Sequence, residues 1–121
     1  MLVLNKKYKV ECIDKEGKLY QNVSRAYLQC NNNDECILDY HSTLIRLNNE
    51  DVLNIQIYDN YETEVKCDYQ MNGTIYQIED YKDKIKVHAS FGGLLMIQTL
   101  EKDEIQGLTN RSKISCLVSK I

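Results

Sequence analysis

The residues able to do chemistry in this chain are scattered rather than gathered. Five cysteines stand at Cys12, Cys30, Cys36, Cys67 and Cys116, and the two histidines are His41 and His88. A zinc site needs thiolates or imidazoles in close-spaced pairs, and only Cys30 and Cys36 come near each other. The spacing predicts no metal site, but five reduced, mostly buried thiols suited to a cytosolic or nuclear compartment. Neither histidine shares a recognisable motif with a serine, cysteine or acid, so no nucleophile–base pair is written here. Asp59, Glu62 and Glu64 fall in one polar stretch that reads as a solvated turn rather than an acid–base pair. Glycine-rich phosphate loops are absent. No cofactor and no catalytic constellation is expected, so the sequence reads as a non-enzyme.

One patch invites a binding role. Lys15, Lys18 and Arg25 are interleaved with Tyr20 and Tyr27, and single-stranded nucleic acid can lay phosphates on such cations and bases on such rings. The net charge is −3 and the pI about 5.4. A protein built to grip nucleic acid carries a basic excess instead. The plainer reading is that the tyrosines cover a sheet and the lysines solvate a hairpin. Weak, salt-sensitive binding is the most this patch supports.

The elements that must position these residues read as strands. With 121 residues, a single domain over 1–121 is expected. Nine Tyr against one Phe and no Trp suit half-buried sheet surfaces. Proline is absent. The opening ten residues lack the apolar run of a signal peptide, and no stretch approaches the roughly 20 apolar residues of a membrane span. The sequons at Asn22, Asn72 and Asn110 are therefore read as accidental. Short β-branched and aromatic runs recur at Tyr8–Ile13, Val23–Cys30, Cys36–Tyr40, Thr43–Leu47, Leu53–Tyr58, Val65–Met71, Thr74–Glu79, Ile85–Phe91, Leu94–Leu100 and Lys113–Ser119. Polar or glycine breaks separate them, among them Asn31–Asp34, Asp59–Glu64 and Asp80–Asp83. Some neighbouring runs merge into one bent strand, giving about eight (ten runs, some fused). Only Glu101–Asn110 has room for a helical turn, interrupted by Gly107. The fold class is all-β, a closed antiparallel barrel or a sandwich with little helix.

Two dipeptides read as two-residue hairpin turns, which need positive φ at both central positions. Asn72-Gly73 predicts Met71 opposite Thr74, Tyr69 opposite Tyr76 and Cys67 opposite Ile78. Gly92-Gly93 predicts Phe91 opposite Leu94, Ala89 opposite Met96 and Val87 opposite Gln98 on an inner face. Its outer face sets Ser90, His88 and Lys86 against Leu95, Ile97 and Thr99. Leu94–Ile97 is apolar on both faces, so Leu95 and Ile97 point away from the core. With Gly92 and Gly93 they form the expected partner contact. The competing reading is that the terminal strand or Glu101–Asn110 covers them.

Four stretches in order resemble the eighth common subunit of the eukaryotic nuclear RNA polymerases. Ser90-Phe91-Gly92-Gly93-Leu94-Leu95-Met96 is similar to its aromatic-Gly-Gly-Leu-Leu-Met signature, and Tyr69–Tyr76 to a Tyr-Val-Met-Tyr-Gly-x-x-Tyr segment. Ile13–Lys18 with Val23-Ser24-Arg25 resembles an acidic-Gly turn and Val-x-Arg strand, and Leu38-Asp39 a pair that opens a strand. The resemblance implies an antiparallel barrel of two OB-like halves and a non-catalytic, nuclear subunit shared among polymerases I, II and III. It implies docking on the largest subunit within the complex, with weak single-stranded DNA contact across Asp14–Leu38. No membrane or small-molecule partner is implied. The chain departs from the family in a short connection between Tyr58 and Val65, in Ile97 where the family has Arg, and in Arg46 where it has Pro. A free-standing OB-type single-stranded nucleic-acid-binding domain is the alternative. A small-ligand carrier barrel has no positive signal.

Overall fold

Period-two burial runs along most of the chain and closes it on itself. Val23–Gln29 and Lys84–Phe91 alternate between half-buried and buried at every residue. Inward residues fill one core, while outward ones meet solvent. The computed structural model describes residues 1–18, 20–30, 34–62, 64–105 and 107–121. Its strands are β1 (Leu2–Ile13), β2 (Val23–Gln29), β3 (Glu35–His41), β4 (Val52–Asp59), β5 (Tyr69–Tyr81), β6 (Lys84–Phe91), β7 (Leu94–Leu100) and β8 (Lys113–Lys120). They hydrogen-bond in the order β1-β2-β3-β7-β6-β5-β8-β4 and back to β1. Every pairing is antiparallel, and closure abolishes the edges that would otherwise invite aggregation. The one helical element among the described residues is a 3-10 turn at Lys102–Ile105, and Gly107 follows it at φ +88°. The expected eight-stranded barrel with little helix is what forms.

Connections plug both ends. Between β3 and β4, Ile45 and Leu47 turn into the core. Their alternation resembles a strand, but the segment Thr43–Leu47 is an irregular loop, against the sequence expectation. At the other end Ile105 and Leu108 pack beside Leu4, Ile57 and Ile114. The internal cavity they line measures about 10 Å³, at the lower limit for a single water. Among the described residues, that end of the barrel leaves no room for a ligand.

Three further expectations are corrected. Strand β1 starts at Leu2 rather than Tyr8, because Asn5–Lys7 pair with Asn54–Gln56 of β4. Asp39 lies in the middle of β3 instead of opening it. The largest correction concerns Asn72-Gly73, which forms no turn: β5 runs straight through it, and neither residue has positive φ. The first half of β5 pairs with β8 (Tyr69↔Val118 to Thr74↔Lys113), and the second with β6 (Thr74↔Ser90 to Tyr81↔Lys84). Gly73 sits at the change of partner. A Cβ there would overlap the Ser90 carbonyl oxygen and lie 2.6 Å from Phe91 Cδ1. The chain instead reverses at Lys82-Asp83, where Lys82 has φ +60°.

The second dipeptide behaves as expected. Gly92 and Gly93 have φ +64° and +100°, and the β6–β7 register runs Phe91↔Leu94, Ala89↔Met96 and Val87↔Gln98. Two expected breaks fall partly outside the described residues, at 31–33 of Asn31–Asp34 and 63 of Asp59–Glu64, as does 106 within the expected helical segment Glu101–Asn110.

Candidate partner-binding surface

The β6–β7 register sends Met96 into the core and turns Leu95 and Ile97 outward, where both are half-buried. Neighbouring strands extend this face. Ile97 stands opposite Ile37 on β3 and His88 on β6, and Ile37 stands opposite Tyr27 on β2. Tyr27, Ile37 and Ile97 thus form a continuous outward apolar rung across three strands, each residue half-buried. The two segments expected as covers lie elsewhere, since β8 is inserted between β4 and β5 while Ile105 and Leu108 face the core. Sequence reasoning found Leu95 and Ile97 but missed Ile37. Its signal was an apolar residue out of phase with the inward Cys36 and Leu38.

Beside this rung lies a cleft of about 380 Å³ between the Asp14–Gly17 turn and the Gly92-Gly93 turn. Residues assigned to two separate patches from sequence meet here: Gly92 and Gly93 form one wall, while Tyr20, Arg25 and Tyr27 contribute to the other. Arg25 forks onto Asp39, Nε donating to Oδ1 at 2.6 Å and Nη2 to Oδ2 at 3.1 Å. This hydrogen bonding raises the guanidinium pKa above its ordinary value. Asp39 is buried although it points outward, and its Oδ2 also accepts the Leu95 amide at 3.1 Å. The Arg25 backbone is held by Asp14, whose Oδ1 accepts its N–H at 3.0 Å.

Contacts within the chain also engage residues of the expected nucleic-acid patch. Arg25 has its charge neutralised by Asp39. The Lys15 ammonium sits 5.2 Å from the Tyr27 ring centroid, over the surface a base would stack on. Lys18 donates to Ser24 Oγ at 3.1 Å and Ser42 Oγ at 3.4 Å. Tyr20 stands open, at 68% exposure. Asp14 and Glu16 add negative charge to the lining.

Other charged groups pair within the chain. Asp34, its side chain fully buried, is bridged by Lys84 and by Lys6 at 3.4 Å, and Lys6 also reaches Glu104. Burial pulls the Lys6 pKa down, but its hydrogen bond to Glu104 and the nearby negative charges raise it overall. His88 meets Glu79 at 2.7 Å, with its ring tilted against Tyr76. Burial pushes the Cys36 thiol well above its usual range and Cys116 up to about 12, which makes both poor nucleophiles. Among the described residues no three potential metal ligands cluster.

Comparison with known proteins agrees with this non-catalytic picture. The family model described as RNA polymerase Rpb8 matches residues 56–120. A Schizosaccharomyces pombe protein, "DNA-directed RNA polymerases I, II, and III subunit RPABC3", is 35% identical over 100 residues, covering 78% of each chain. A Caenorhabditis elegans protein described as a probable RPABC3 subunit is 25% identical over 142 aligned positions, covering 98% of this chain and 96% of its own. A solved structure of the cytoplasmic molybdate-binding protein ModG spans 96% of this chain and 89% of its own at 12% identity. Its TM-score is 0.41, too low to carry an argument.

Proposed function

The chain belongs to the RNA polymerase Rpb8 family, and we propose that it docks on the largest polymerase subunit through the outer face of β2, β3, β7 and β6. As a member of that family it is a non-catalytic subunit of the nuclear DNA-directed RNA polymerases, not a free-standing nucleic-acid-binding domain. The observation that carries the docking reading is the outward apolar rung Tyr27–Ile37–Ile97, together with Leu95. These apolar side chains are only half-covered in the barrel alone, and a partner that covers the rest gains from their burial. Gly92 and Gly93 keep the adjoining turn free of side chains, so another backbone can approach closely. Contact with single-stranded DNA plays no part in this reading, because Arg25 is paired with Asp39 and the cleft lining adds the negative charges of Asp14 and Glu16.

The test is the double substitution Leu95→Ser and Ile97→Ser in the full chain. Full burial of such a side chain is worth about 1.5–3 kcal/mol, and these are already half-covered, so the expected loss is roughly 1–1.5 kcal/mol each. Association with the largest subunit should weaken accordingly, while the barrel keeps its circular dichroism and still melts cooperatively, at a lower temperature because the covered half of each side chain is lost too. Normal association by the folded double variant would remove this face from the interface.

A further inference from the structure

The ladder between β3 and β7 is short, running from Cys36↔Gln98 to Leu38↔Met96. Strand β7 continues beyond it, still paired with β6 as far as Phe91↔Leu94. Ile97 is thus held within the ladder opposite Ile37, whereas the two strands part at Leu95, and the cleft opens in that gap, with Asp39 and Leu94 both in its lining. What spans the gap is a side chain. Asp39 Oδ2 accepts the Leu95 N–H at 3.1 Å, taking the place of the next backbone rung. The carboxylate is itself fixed by the Arg25 fork, and Arg25 by Asp14, whose N–H also donates to the Arg25 carbonyl at 2.8 Å. The result is a hydrogen-bonded chain from β1 to β7 through Asp14, Arg25, Asp39 and Leu95.

We infer that Asp39 is a positioning residue for docking: its carboxylate sets the turn end of the β6–β7 hairpin against β2 and β3, and thereby holds Leu95 beside the Tyr27–Ile37–Ile97 rung. The inference rests on the docking reading above. Only a carboxylate offers acceptors to a guanidinium fork and an amide at once without a competing donor. An asparagine has one acceptor oxygen, and its amide group would face donors on both sides. The neighbouring Gly92 and Gly93 carry no side chains to steady the hairpin, so the tether falls to Asp39. For the same reason Arg25 serves the assembly from within the chain, as the anchor of that carboxylate, and not as a ligand for phosphate.

The decisive variant is Asp39→Asn, measured in the full chain beside the Leu95→Ser/Ile97→Ser variant. Amide exchange at Leu95 should speed up by about tenfold, and association with the largest subunit should weaken by about tenfold, equivalent to about 1.4 kcal/mol, with cooperative melting retained. Arg25→Lys, which cannot fork, should reproduce both effects in weaker form, and combining it with Asp39→Asn should add little. If Asp39→Asn fails to fold cooperatively, Arg25→Lys decides by the same two readouts. Unchanged exchange at Leu95 overturns the inference. So does faster exchange with undiminished association, provided the Leu95/Ile97 variant does lose association. If that variant also associates normally, the docking reading has failed, and exchange at Leu95 still judges the tether.

Discussion

Two dipeptides, Asn72-Gly73 and Gly92-Gly93, look alike as local sequence and do opposite things. Both are flanked by alternating apolar residues, and both allow a two-residue turn. Gly92-Gly93 takes it, at φ +64° and +100°, with open space where each Cβ would stand. Gly73 lies in extended backbone with Ser90 and Phe91 pressed against its missing side chain. One pair of glycines supplies backbone conformation, whereas the other glycine supplies absence of volume. A turn is decided locally; a close approach is decided by a strand seventeen residues away, as the Gly73–Ser90 contact shows.

Substitutions separate the two roles. Gly73→Ala should cost the most, about 3 kcal/mol, because the new methyl meets backbone that cannot rotate away; a denaturant titration reads it. Gly93→Ala should cost about 1–2 kcal/mol through strained positive φ alone, with no steric overlap. A Gly73→Ala variant as stable as the parent would mean that the crossing of β5 over β6 is looser than described.

A third expectation concerns the half of β5 before Gly73, where Met71 lies opposite Cys116 of β8. Burial raises the Cys116 pKa from its ordinary 9.0 to about 12, so the folded chain keeps its proton where the unfolded chain loses it. That stability is fully present below about pH 9 and is lost as pH rises toward about 12, by about 1 kcal/mol at pH 10. Unfolding free energy followed between pH 7 and 10 should fall with this slope, and Cys116→Ala should flatten it. Buried Cys36, raised for the same reason, adds to the slope. The smallest effect is expected for Gly92→Asn, below about 0.5 kcal/mol, because asparagine tolerates the left-handed region.

What was legible in the sequence was whatever local pattern decides. The β6–β7 hairpin was readable to the residue because turn chemistry and alternation agreed. The all-β class and the strand number followed from spacing, which left a sandwich and a closed barrel both open, and the resemblance pointed to the barrel. The first turn of β1 was hidden because Lys6 occupies an inward position, which makes sense only with Asp34 and Glu104 beside it. Ile45 and Leu47 alternate like a strand yet plug an open end, a role that exists only after closure. Asp39 was least visible of all. It read as part of a Leu-Asp pair, but its partners are 14 and 56 residues away, and no spacing rule links them. The family itself was legible, since its signature falls on the one hairpin that local rules describe well.

The most direct test of the docking account is hydroxyl-radical footprinting of the chain alone and within the assembled polymerase. Tyr27, Ile37, Leu95 and Ile97 should lose reactivity on assembly, while Val52, exposed at the start of β4, and Tyr61, exposed just after it, should keep theirs. Unchanged labelling of Leu95 and Ile97, with protection appearing at Tyr61 and Val52, would place the interface on the other side of the barrel and contradict the account.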